Sequence, residues 1–122
     1  MDPDTRARLG SLFVGWFFDT RDPSRVVDFS AGDDPIYARP LRVRDVGDEQ
    51  VRLGSVPRAD GTTIWSRIEA HRRRFGTPSA VVLVLPVWTT DLDPLLIDGS
   101  HRACAVYLLD PPRVELDLIA PY

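Results

Sequence analysis

Lysine is absent from this 122-residue chain, and all 15 of its basic residues are arginine. That absence excludes a lysine Schiff base and a phosphate loop built on lysine, while arginine remains a good fork for phosphate oxygens. A GC-rich genome accounts for the same bias. Cysteine is nearly as scarce, and the lone Cys104 supports neither an internal disulfide nor a cysteine-built zinc site. A reducing, cytoplasmic setting is the expectation. No apolar run approaches the roughly 18 residues of a membrane-spanning helix. The Met1-Asp2-Pro3-Asp4 start lacks the basic and apolar pattern of a secretory signal. A net charge of −3 disfavours nonspecific binding of nucleic acid, which leaves only a local basic face for that purpose.

What is present is the composition of one globular domain, 43% hydrophobic and 27% charged. Asp4 to Asp19 reads as an amphipathic helix carrying Leu9, Leu12, Phe13, Trp16 and Phe17, although Gly10 and Gly15 weaken it. This makes residues 1–20 a helical extension whose stripe packs on the core or docks a partner, including a second copy in a homodimer. Turn signals then separate short β-like runs at Val26 to Phe29, Leu41 to Val46 and Val51 to Val56. A helix is expected over Thr62 to Phe75, with Ile64, Ile68, His71 or Arg72, and Phe75 on one face and Gly76 as its stop. Arg72, Arg73 and Arg74 in its last turn either complement the helix dipole or form a basic rim that meets phosphates.

Ala80 to Trp88 is almost continuously apolar and predicts a strand buried on both faces. A short strand at Pro94 to Ile97, a helix over Ala103 to Leu109 and an alternating strand at Val114 to Ile119 complete the chain. The expected fold class is α/β (α+β): a compact single domain with a small mixed sheet, flanking helices and an added N-terminal helix.

The chemistry concentrates at Asp98-Gly99-Ser100-His101-Arg102, where a strand turns through glycine into a helix start. Unpaired amides of a first helical turn and the dipole behind them attract anions. Gly99 permits close backbone approach, Ser100 can cap the helix or donate to a phosphate oxygen, and Arg102 can grip a phosphate with two donors. His101 can hydrogen-bond or carry a proton near neutral pH, and Asp98 can orient Arg102, hold a metal ion or accept a proton. The plainer reading of the same residues is a surface turn in which Asp98 or Ser100 caps the helix.

The stretch Leu96-Ile97-Asp98-Gly99-Ser100-His101-Arg102-Ala103 resembles the signature of the ParB/sulfiredoxin-like superfamily, an Asp/Glu-Gly-x-His-Arg turn that follows a strand and opens a helix. The order of elements resembles that family over roughly Pro40 to Pro121, about two-thirds of the chain, so 40–121 is the expected core. The resemblance implies a small fold whose turn binds nucleotide phosphates, with ATP/ADP or CTP as the nucleotide and Mg²⁺ beside it. By that resemblance Gly99, Ser100, His101 and Arg102 bind the cofactor, Asp98 and His101 are catalytic, and Asp98 holds the metal. Family branches hydrolyse CTP while clamping DNA, phosphorylate a sulfinic acid or free serine with ATP, or act as nucleases.

Ser100 stands where sulfiredoxins carry their cysteine, which argues against sulfinate chemistry, and Cys104 reads as a buried core residue. The final strand lies close to the end of the sequence, so a detached nucleotide domain is expected rather than a full partition clamp. The branch that phosphorylates serine fits the turn and needs an acid, for which Glu69, Asp60 and Asp91 are candidates. Glu69 also reads as a partner of Arg72 or Arg73, and Asp60-Gly61 as a turn. The leading expectation is a nucleotide-dependent phosphotransferase or nucleotide hydrolase acting on a small hydroxylated metabolite or a partner protein. The alternative is a non-catalytic module that binds a nucleotide, a partner or DNA, and a nuclease ranks last because two acids around a metal are not evident.

Overall fold

The computed structural model describes residues 1–29, 38–89 and 93–120. Among these residues it forms a mixed α+β domain of four α-helices and two three-stranded sheets. Helix α1 (Pro3–Ser11) is capped by Asp2, whose carboxylate accepts from the Thr5 amide at 2.9 Å. The chain then leaves helical geometry at Leu12, with φ −64° and ψ 134°. Strand β1 (Trp16–Asp19) follows and pairs antiparallel with β2 (Val26–Asp28) and with β3 (Ala38–Arg39).

A single helix over Asp4 to Asp19 is therefore incorrect. Gly10 and Gly15 sit on either side of the break, and Trp16-Phe17-Phe18 is a β-prone aromatic run that completes a sheet rather than a helical stripe. These residues are no appendage: Leu9, Leu12, Val14, Trp16 and Phe18 lie in the same core as the later elements.

Two further expected strands are helical. Leu41 to Val46 enters a 3₁₀ helix (Val43–Glu49), and Val51 to Val56 lies mostly in α2 (Gln50–Ser55). The alternation at Leu41-Arg42-Val43 was real but local: Val43, Val46 and Leu53 reach the core at helical spacing. Helix α3 (Ile64–Phe75) starts at a reciprocal cap in which Thr63 and Ser66 exchange hydrogen bonds, and it ends at Gly76 with φ 66°.

Strand β4 (Ala80–Trp88) is the centre of the second sheet, parallel to β6 (Arg113–Ile119) and antiparallel to β5 (Leu95–Leu96). Helix α4 (Ser100–Leu109) lies between β5 and β6 in sequence and packs against α3. Its Ala103, Cys104, Ala105 and Val106 are fully buried, small residues that let neighbouring elements close on it.

β4 is not covered on both faces. Val81, Leu83, Leu85 and Val87 point into the core, whereas Val82 is 66% exposed, Val84 44% and Trp88 65%. The run of apolar residues predicts a sandwiched strand, but no element among those described lies over the second face.

The one-sided burial makes a direct prediction. Leu83→Ala should destabilise the domain by about 2–5 kcal/mol, and Val82→Thr should change stability by no more than about 0.5 kcal/mol, measured by urea unfolding. Equal costs at the two positions would contradict it.

Candidate functional site

The site begins where β5 gives way to α4. Ile97 donates its amide to the Pro86 carbonyl at 3.0 Å, the last tie of the strand to β4. Asp98 is exposed and accepts the Gly99 amide at 2.8 Å. Gly99 then turns the chain with φ 80° and ψ 15°, a left-handed conformation in which side chains are strained. A Cβ placed there would meet Leu85 Cδ2 at 2.9 Å, so packing as well as conformation calls for glycine.

Gly99 is the residue that precedes the first turn of α4, and among the described residues no side chain caps that turn. Ser100 is the first helical residue, not the cap. It is buried, and its hydroxyl accepts the Gly15 amide at 3.2 Å, which ties the start of α4 to the segment leading into β1. The early amides of α4 are thus left for solvent or an anion.

A cavity of about 470 Å³ opens at this turn. Asp98, Gly99, Ser100 and His101 line it, facing Gly15, Trp16, Asp28, Arg58 and Arg67. A second cavity of about 490 Å³ shares Asp28, Arg58 and Arg67 as its wall, so these three residues stand between the two. Arg58 is held against Asp28 at 2.7 Å, with both side chains largely buried. Its Nε is buried without an acceptor among the described residues. Arg67, on α3, donates to Asp60 at 2.8 Å and to the Thr62 hydroxyl at 3.1 Å while staying partly exposed. The Thr62 hydroxyl and amide, which donate to Asp60, and then Arg67 hold the Asp60 carboxylate well below its usual range.

His101 is packed against the Trp16 ring with centroids 5.1 Å apart, and its Nε2 is buried with no partner among the described residues. Burial, followed by the positive charges of Arg58 and Arg67 and by His71, pushes its pKa down to about 4. The imidazole is therefore neutral at pH 7, which corrects the expectation of a proton carried near neutrality. His71 is pushed the same way by burial and by Arg74, Arg102 and Arg67. Burial is the leading cause at both histidines, and the neighbouring guanidiniums add to it.

The turn's residues do not all converge. Arg102 is not among the residues lining the cavity; its guanidinium donates to the Val84 carbonyl at 3.4 Å, beside β4. No ion pair joins Asp98 to Arg102 among the described residues. Glu69 is engaged with Arg72 at 2.6 Å, Asp60 with Arg67, and Asp91 lies outside the described residues. Cys104 is fully buried and its thiol is pushed far up by that burial, so it is no nucleophile.

Arg58, Arg67 and Asp28 escape a reading of the sequence because no motif joins them. The usable signal was the α3 face bearing Ile64, Ile68 and His71, on which Arg67 stands one turn before His71. For a metal, no group of three or more His, Cys, Asp or Glu gathers among the described residues. Among the described residues, Asp98 is the one carboxylate at the cavity without an ion pair, which fits an ion carried mainly by a phosphate ligand and not a cage built by the protein.

Two predictions follow from this geometry. Gly99→Ala should destabilise the fold by about 1–3 kcal/mol, more than Gly61→Ala, whose φ is 83° but whose added Cβ meets nothing within 4 Å. Because His101 is harder to protonate folded than unfolded, its contribution to stability is constant above pH 6.5 and falls as pH drops from 6.5 towards 4, by roughly 3 kcal/mol. His101→Gln should flatten that part of a melting-temperature profile, leaving the loss below pH 4 that lowered carboxylates such as Asp60 produce.

Searches of protein-family models, curated proteins and solved structures give no match to this chain.

Proposed function

We propose that the chain binds a nucleotide through its phosphates at the Asp98–His101 turn, as its resemblance to the ParB/sulfiredoxin-like superfamily implies, and that it is a nucleotide-dependent phosphotransferase or nucleotide hydrolase. The observation that carries this reading is the shared cavity: the uncapped start of α4 faces two guanidiniums, Arg58 and Arg67. Phosphate oxygens accept from both kinds of donor. The neutral imidazole of His101 offers a hydrogen bond without adding a charge that would have to be desolvated. Mg²⁺ carried by the phosphates themselves would neutralise excess charge at the transferring group, which leaves the Asp98 carboxylate for the proton.

Phosphoryl transfer asks a protein mainly for position and charge. An acceptor hydroxyl forms the new P–O bond to the terminal phosphorus as the bond to the bridging oxygen breaks. Its proton goes to Asp98, which is exposed at the cavity and carries no ion pair among the described residues. Asp28 is less suited, being committed to Arg58. The acceptor is water, a small hydroxylated metabolite or a hydroxyl of a partner protein.

A non-catalytic binding module is the second reading. It is favoured by the engagement of Glu69 and Asp60 in ion pairs, which leaves Asp98 without a second acid. The nuclease reading has no such support. No helix among the described residues is long and apolar enough to cross a membrane.

ATP, ADP, CTP or GTP with Mg²⁺ should raise the melting temperature by several degrees, and Arg67→Gln should remove most of that shift. Asp98→Asn should keep the shift and lower turnover about 100-fold or more if the chain is an enzyme. Binding without turnover selects the module reading, and no shift with any nucleotide overturns both.

A further inference from the structure

The cavity at the turn has a second end whose chemistry differs from the first. Trp88 and Leu95 are register partners across β4 and β5, so their side chains share one face, and Ile97 lies two residues on from Leu95. All three line the cavity that contains Arg58, Arg67 and the turn, and none lines the neighbouring cavity beyond the arginine wall. Trp88 is 65% exposed and Ile97 50% exposed, although Trp is a residue that folding normally covers. No ring or cation contact occupies the Trp88 indole among the described residues. The indole is thus an open flat surface beside the pocket that Arg58 and Arg67 line, continuous with the exposed Val82–Val84 side of β4.

Resting on the reading of the site as a phosphate pocket, we infer that Trp88 is the stacking platform for the nucleotide's base, and that the site selects its ligand by stacking area instead of by base-edge hydrogen bonds. One ligand then satisfies both ends: phosphates at Arg58, Arg67 and the α4 amides, and a planar aromatic group over Trp88, Leu95 and Ile97. The lining explains the selectivity. At the apolar end the side chains are a tryptophan, a leucine and an isoleucine, which bring no carboxylate or amide to read a base edge. Stacking is tolerant, because every base has a π-face, and it strengthens with the size of that face. Purine nucleotides are therefore the preferred class, with adenine and guanine poorly distinguished.

Isothermal titration with three probes tests this: ATP, CTP and inorganic tripolyphosphate, each with Mg²⁺, against the wild-type chain, Trp88→Ala and Trp88→Phe. Wild type should bind ATP roughly tenfold or more tightly than tripolyphosphate, with CTP between them. Trp88→Ala should bring ATP down to the affinity of tripolyphosphate and leave tripolyphosphate itself unchanged, and Trp88→Phe should restore most of the difference. The exposure of Trp88 means that both variants should fold, which an unchanged urea midpoint checks. ATP binding that is unaffected by Trp88→Ala, or CTP binding more tightly than ATP, overturns the platform while leaving the phosphate pocket intact. If tripolyphosphate also fails to bind wild type, the phosphate reading falls and this inference falls with it.

Discussion

The contact between Gly99 and Leu85 is the constraint from which the site follows. Leu85 is fully buried in the inward face of β4, and its Cδ2 occupies the space that any Cβ at position 99 would need. The turn can lie this close only as glycine, and the left-handed backbone it takes there starts α4 immediately, with no side chain interposed to cap it. Ser100 then locks the helix start to the Gly15 amide. An uncapped helix end is ordinarily a defect. Here it is packed against the hydrophobic core on one side and opens into a cavity on the other.

The electrostatics of that cavity arise from elements far apart in the chain. Arg58 enters from the loop after α2 and is anchored by Asp28 of β2, Arg67 enters from α3, and the turn comes from the β5–α4 connection. Burial first, and then those positive charges, keep His101 neutral, so the imidazole adds no further cation to the cavity. Arg102, by contrast, serves β4: it donates to the Val84 carbonyl and lies outside the cavity. Positive charge at this site is thus supplied mainly across the fold and not by the turn itself.

Much of this was legible in the sequence, for definable reasons. Helix α3 is marked at both ends by local chemistry, Thr63 with Ser66 at the start and Gly76 at the stop, and it emerges where that chemistry places it. The same holds for β6, whose alternation reports one-sided burial, and for the α4 turn, whose glycine announces a left-handed residue. The first 20 residues misled because Leu9, Leu12 and Trp16 are all buried, but by a helix and then a strand; spacing alone does not reveal that the period changes at Leu12. Continuous apolar sequence in β4 similarly reports hydrophobicity and not which face is covered. Arg58 was invisible because its role depends on a long-range pairing with Asp28, and Arg67 was marked only by its place on the α3 face beside Ile64, Ile68 and His71.

The central claim is that the first turn of α4, together with Arg58 and Arg67, forms a preorganised anion pocket. It is tested most directly by following backbone amide and arginine Nε signals in ¹H–¹⁵N NMR spectra while inorganic pyrophosphate is added. The account predicts saturable shifts that are largest at the amides of Ser100, His101 and Arg102 and at Nε of Arg58 and Arg67. Shifts centred instead on the exposed Arg73 and Arg74 at the end of α3, or no saturable shifts anywhere, would contradict it.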